Sequence, residues 1–377
     1  MRLLTRFWQD DGIRDVAATN GWSRARPRAG RPVSLITGGA GFVGTNLAAR
    51  LAETGRHVLV LDNLSRAGVD RNLRWLLDSY PDRVSVEVGD VRDPELLRRA
   101  VRDAAEVFHL AAQVAVTSSI ADPLHDHAVN VEGTLRLLEE LRRVDDPPPT
   151  VFTSTNKVYG ALPDLELVRA GARWEPVDPF VRETGLSEDR PLDFCTPYGC
   201  SKGAADQYVR DYAKSYGLPT VVFRMSCIYG PHQQGNEDQG WVAHFLLRAL
   251  AREPITIYGD GAQVRDLLFV DDLVDALVLA VENVDRIEGR AFNIGGGPEN
   301  TASLLEVVEL IAELCGEQPE ISFAPERIGD QRYYVSDTTR FEEETGWAQR
   351  VGVEGGIETL HQWLERRTQR ALEATAR

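Results

Sequence analysis

Cysteine and methionine are scarce in this chain and lysine is nearly absent: its 377 residues hold four cysteines, two methionines and three lysines, Lys157, Lys202 and Lys214. The cysteines (Cys195, Cys200, Cys227, Cys315) show neither CxxC spacing nor framework-like density, which argues for reduced thiols and against a cystine scaffold or a zinc site. No metal is expected. Long apolar runs are also missing. Nothing approaches the roughly 18 residues of a spanning helix, and the opening stretch Met1 to Asp10 is too polar for a secretory signal, so the expectation is a cytoplasmic protein with no membrane partner. Positive charge is in deficit, 42 basic against 58 acidic residues for a formal net charge of −16. That excess of negative charge argues against nucleic acid as a partner, and an anionic ligand would have to be held by a few aimed groups. Because arginine serves here as the generic surface cation, each lysine is a candidate for a chemical role.

What is present is ordinary folded-protein composition, with 43% apolar and 27% charged residues, and a length that suggests one large domain with a smaller companion. Residues 1–30 lack a sustained apolar period and end in Arg24, Arg26, Pro27, Arg28 and Gly30, which predicts a poorly ordered extension. After Pro32 the pattern changes. Val33 to Thr37 reads as a buried strand, Gly38 to Gly44 as a glycine loop, Thr45 to Thr54 as a helix closed by Gly55, and His57 to Asp62 as a second strand. The alternation continues through strands near 84–88, 106–110, 150–154 and 220–224, which predicts an α/β fold, a Rossmann-like doubly wound parallel sheet. Residues 31–223 are assigned to this dinucleotide-binding domain. Residues 224–377 are assigned mainly to a smaller C-terminal substrate-binding domain, with some strands from 255–297 returning to the first sheet.

Gly38, Gly41 and Gly44 lie between a strand and a helix start, with Phe42 and Val43 in the same loop as further cofactor contacts. Backbone N–H groups and the helix dipole favour a pyrophosphate there. Asp62 ends the second strand, 24 residues after Gly38, placed with Asn63 to accept from an adenosine ribose diol. This favours NAD over NADP, and Arg66 is the one feature pulling the other way. Asp90 and Val91 follow the third strand, where they can border the adenine.

Tyr198 and Lys202 stand four residues apart, on one face of a helix. A neighbouring cation stabilises a phenolate, so the tyrosine is expected to accept a hydroxyl proton far below its ordinary pKa of about 10. Taken with Thr37 to Gly44 (TGGAGFVG), His109-Leu-Ala-Ala112 and Val158-Tyr-Gly160, this pair resembles the extended short-chain dehydrogenase/reductase (NAD-dependent epimerase/dehydratase) family acting on nucleotide sugars, over roughly residues 33–370. The resemblance implies that NAD is the cofactor, contacted also by Ala111 and Ala112. It implies further that Tyr198 is the catalytic acid/base, that Lys202 activates it and binds the nicotinamide ribose, and that Thr155 hydrogen-bonds the reacting hydroxyl. It also implies a homodimer or homotetramer.

After Thr155 the chain carries Asn156 and Lys157, where the family's 4,6-dehydratases typically have an acid and a base. With no carboxylate in those two places, dehydration is not expected. The segments 154–160, 196–208 and 235–245 resemble the CDP-tyvelose 2-epimerase (CDP-paratose 2-epimerase) branch. That resemblance implies an isomerase of carbohydrate biosynthesis, inverting C2 of a CDP-linked hexose or deoxyhexose through a 2-keto intermediate and hydride return. Its implied substrate contacts are Asn156, Lys157 and Gln239, with Arg265 and Arg332 as the forked cations on the diphosphate. The alternatives are a 4-epimerase of UDP- or other nucleotide-linked hexoses, and a non-catalytic NAD-sensing protein on the same fold.

Overall fold

The structure, a computed structural model, describes residues 33–375; the extension expected over 1–30 lies outside them. Seven strands form one parallel sheet in the order Ala291–Ile294, Thr220–Met225, Thr150–Thr155, Ala104–His109, Val33–Thr37, His57–Asp62, Val84–Val88. The chain moves outward from Val33–Thr37 to one edge, then crosses back to Ala104–His109 on the other side. That reversal opens a crevice at the carboxyl ends of these two strands.

Val33–Thr37 is buried at all five positions and reads without alternation because helices cover both faces of the sheet. On one face the helices Phe42–Glu53, Val69–Ser79 and Val270–Glu282 contribute Leu47, Leu51, Leu73, Leu76, Leu273 and Leu277. On the other, Pro94–Val101, Gly133–Leu141 and Thr196–Tyr216 contribute Leu96, Leu97, Leu137, Leu138, Val209 and Tyr212. Burying each such leucine stabilises the fold by about 1.5–3 kcal/mol. Local signals set the helix ends. Asp93 accepts from the N–H groups of Glu95 and Leu96 ahead of Pro94, and Ser303 with Glu306 forms a capping box.

The C-terminal part is interleaved with the sheet. Ala291–Ile294 pairs with Thr220–Met225, while Val242, Phe245, Ile255, Ile257, Val307, Ile311 and Leu360 build a separate core. The stretch between Tyr159 and Tyr198 forms a hairpin, Leu167–Ala170 with Arg173–Pro176, and a short helix, Pro179–Thr184. It is pinned to the C-terminal part by Trp174 N–H donating to Ala262 O at 2.9 Å and by Arg173 pairing with Glu306 at 2.9 Å. Among the described residues no helix is long and apolar enough to cross a membrane.

His232 ties the two parts together, its ring 4.2 Å from that of Trp75 and 5.2 Å from that of Trp363. Burial, with the nearby Arg367 charge, pulls its pKa from 6.5 down to about 4. Between these values the unfolded chain binds a proton that the folded chain refuses, so stability is lost as pH falls from above 6.5 towards 4. His232→Phe keeps a ring in the stack and is expected to reduce that acid loss. Urea midpoints of both proteins at pH 7.5 and pH 4.5 check this; equal acid losses would exclude His232 as a contributor.

Candidate active site

The crevice holds a cavity of about 540 Å³, lined at one end by Gly38, Gly41, Phe42, Val43, Gly44, Asp62 and Asn63 and at the other by Tyr198 and Lys202. The helix Phe42–Glu53 begins three residues earlier than its sequence pattern indicates, at an amino end with no side-chain cap. Its first N–H groups therefore face the cavity with no intrahelical acceptor, the arrangement that takes a phosphate. Glycine is required at both ends of the loop. Gly38 has φ +71° with a Cβ position 2.7 Å from Ala111 N, and a Cβ on Gly44 would lie 2.5 Å from Gly38 O.

Asp62 accepts from the N–H groups of Ala40 at 3.1 Å and Leu64 at 2.9 Å. Burial pushes its carboxyl up, while these two bonds and the Arg66 charge oppose that rise. Asp90 accepts from Asn63 at 3.0 Å and doubly from Arg92 at 2.8 Å, and the Arg92 bonds hold it well below the usual range. Val91, Ala111 and Ala112 also line the cavity. So do Gln113 and Ser154, whose Oε1 and Oγ are buried without a hydrogen-bond partner among the described residues. Sequence reading missed this pair, since a single glutamine and a serine at a strand end carry no spacing signal. Uncapped N–H groups, a strand-end carboxylate and two orphaned polar atoms together fit a dinucleotide.

Thr155 ends the strand Thr150–Thr155; its hydroxyl donates to Asn156 Oδ1 at 3.3 Å and favours the ionised form of the Tyr198 phenol. Pro197 starts the helix Thr196–Tyr216, whose buried face carries Tyr198, Lys202, Ala205, Asp206 and Val209. The Lys202 ammonium sits 4.2 Å from the Phe152 ring centroid. Burial pulls its pKa down to about 7 although Asp206 and Asp126 oppose this. Tyr198 is itself buried. Burial pushes the phenol up to about 12, Asp126 adds to this, and Thr155 and Arg66 only partly offset it.

At the sugar end the expected contacts separate. Gln239 lines the large cavity and accepts a hydrogen bond from Arg66. Asn156 donates to Gln331 Oε1 at 3.2 Å. Lys157 donates to Gly329 O at 3.1 Å and lies 3.5 Å from Asp330 Oδ1, which also takes Arg265 at 2.6 Å. Burial raises the Asp330 carboxyl, but Arg265 and Lys157 together outweigh it and hold it below the usual range. Arg265 does not line the large cavity, and neither does Arg332. The Arg332 guanidinium lies 5.3 Å from the Trp174 ring centroid, on a second cavity of about 340 Å³ shared with Leu162, Leu167, Glu326 and Tyr333. The structure adds Arg327, overlooked in the sequence, 3.8 Å from the Tyr258 ring centroid and donating to Glu237 O at 2.7 Å. Among the described residues no cluster of three His, Cys, Asp or Glu side chains could hold a metal.

A switch-point crevice with an uncapped glycine-loop helix and a Thr–Tyr–Lys set defines a dinucleotide-dependent enzyme of the short-chain type. Residues 34–295 match the NAD-dependent epimerase/dehydratase family, and the chain belongs to it. It is 41% identical to the CDP-paratose 2-epimerase of Salmonella typhi over 336 residues, 87% of this chain and 98% of that one. It is 33% identical to the dTDP-glucose 4,6-dehydratase of Xanthomonas campestris, over 87% of this chain and 92% of that one. Among solved structures it is similar to the UDP-glucose 4-epimerase of Thermus thermophilus in complex with NAD, at a TM-score of 0.73 and 34% identity, covering 88% of this chain and 99% of that one.

Proposed function

We propose that this chain is an NAD-dependent 2-epimerase of a CDP-linked hexose or deoxyhexose. The observation that carries the reading is the Asn156–Lys157 pair beside Thr155. Neither residue offers a carboxyl, and the one carboxylate reaching Lys157, from Asp330, is already shared with Arg265. A 4,6-dehydration needs a free acid and a free base at the sugar, so this environment supports chemistry that leaves the carbon skeleton hydrated. The 41% identity with a CDP-paratose 2-epimerase supports C2 and the CDP carrier.

When bound, NAD supplies a cationic nicotinamide that accepts a hydride from the sugar and later returns it. Gly41 to Gly44 and Asp62 would hold its adenosine half, and Ser154, Gln113 and Lys202 its nicotinamide half. Thr155 orients the C2 hydroxyl, Tyr198 takes its proton and gives it back, and the buried surroundings keep water from the 2-keto sugar. Lys157 and Asn156, fastened to Gly329, Asp330 and Gln331, set the floor on which the sugar turns. Arg265 and Arg327 are the cations for the diphosphate.

Proton NMR of the purified protein with CDP-, UDP-, GDP- and dTDP-hexoses, including a 3,6-dideoxy CDP-sugar, tests the reading through the H1–H2 and H3–H4 couplings. Inversion at C2 of a CDP-sugar is the expected result. Inversion at C4, or loss of water, overturns it.

A further inference from the structure

The large cavity is short of positive charge for the cofactor it fits. A pyrophosphate brings two negative charges, and Asp62, Asp90 and Asp238 already line the same space. The helix amino end offers the equivalent of roughly half a charge. Of the basic side chains on the lining, Lys202 is sunk at the closed end over Phe152; the other two are His125 and Arg66.

Arg66 stands in the loop between His57–Asp62 and Val69–Ser79 and spans the cavity mouth to donate to Gln239 Oε1. The base of the opposing loop is fixed: Asn46 and Asn72 donate to the carbonyls of Pro231 and His232 at 2.9 and 3.0 Å. Asn236 Oδ1 then turns the tip, accepting from Asp238 and Gln239 N–H groups at 3.0 and 2.9 Å. The Arg66–Gln239 bond thus joins two exposed loop tips, and its acceptor is a neutral amide. A phosphate oxygen binds guanidinium about twice as strongly as a neutral acceptor and in forked geometry. The Arg66 charge also acts on both Asp62, at the glycine-loop end, and Tyr198, on the catalytic helix, as a cation lying over the middle of the cavity does.

We propose that Arg66 is the pyrophosphate cation of this site, exchanging Gln239 for the dinucleotide's phosphates and so freeing Gln239 to face the substrate. Arg66 then serves the NAD pyrophosphate and not the 2′-phosphate of NADP, whose position Asp62 opposes.

The test is titration calorimetry of the purified chain with NAD, NADP, ADP and adenosine at two salt concentrations. Arg66→Met is expected to weaken NAD and ADP by about 10- to 100-fold, to leave adenosine unchanged and to flatten the salt dependence, with Arg66→Lys recovering part of the loss. Gln239→Ala is expected to hold NAD within about threefold of wild type. The proposal is overturned if Arg66→Met binds ADP as the wild type does, or if adenosine weakens in parallel. It is equally overturned if Gln239→Ala loses as much as Arg66→Met, which would make the contact a structural latch, or if only NADP binding suffers.

Discussion

Phenylalanine in place of Tyr198 is expected to lower kcat on the nucleotide sugar by about 10²- to 10⁴-fold, the range that a positioned proton-transfer group contributes. The substitution removes only the phenol hydroxyl, so the ring stays in its buried place on the helix and the dinucleotide end of the cavity is untouched. NAD content and thermal midpoint are therefore expected to match wild type, which separates a chemical loss from a folding loss. Burial holds the phenol at about 12, so its readiness to take a proton depends on positive charge brought to it. Arg66 is the cation whose charge already acts on it in that direction. Turnover of Tyr198→Phe within tenfold of wild type would remove the acid/base assignment and leave Thr155 or a water to carry the proton.

How far the sequence speaks differs between the two ends of the cavity, and the reason is range. Gly38, Gly41, Gly44 and Asp62 belong to one contiguous strand, loop and second strand, where each residue type answers a local need: a positive φ, a close backbone approach, a strand-end acceptor. Periodicity and glycine spacing therefore suffice to place them on one cavity. The sugar end is assembled from afar. Asn156 meets Gln331 across 175 positions and Lys157 meets Asp330 across 173, and no local pattern marks either partnership. For the same reason Arg265 and Arg332 read as an equivalent pair in sequence, whereas Arg332 is turned aside by Trp174 from a hairpin whose docking no periodicity encodes. Arg327 escaped notice because its partners come from distant places, Tyr258 from the end of the strand Ile255–Tyr258 and Glu237 from a loop. The return of a strand from 255–297 to the main sheet is expected from the sequence, but not which strand returns or beside which neighbour. The strand Ala291–Ile294 is itself plain in the sequence, but its parallel pairing with Thr220–Met225 depends on the helix Val270–Glu282 crossing over to cover the sheet.

Asp206→Ala is expected to destabilise the protein by about 3–5 kcal/mol, the cost of leaving one partner of a buried ion pair without the other. Asp206 is fully buried one turn beyond Lys202 and takes Arg224 through two bonds, 2.9 Å from Nε and 3.1 Å from Nη2. Arg224 also reaches the Tyr159 hydroxyl at 3.1 Å, and that hydroxyl donates to Asn293 Oδ1 at 2.7 Å. Removing the carboxylate leaves the buried guanidinium with a phenol as its only side-chain hydrogen-bond partner among the described residues. Urea denaturation should show a lower midpoint with an unchanged slope, since the surface exposed on unfolding is the same. The double variant Asp206→Leu with Arg224→Met removes both charges and is expected to recover most of that loss, because the pair contributes little net stability once its desolvation is counted. The two proteins should still differ from wild type at the active site. Asp206 is the larger of the two carboxylate influences that favour the charged form of Lys202, so both variants are expected to shift the lysine's titration to lower pH and move the pH profile of kcat with it. A restored midpoint with an unmoved profile would show that the Asp206–Arg224 pair supports the fold alone; a profile displaced in both variants would make Asp206 a positioning residue acting on the reaction through Lys202.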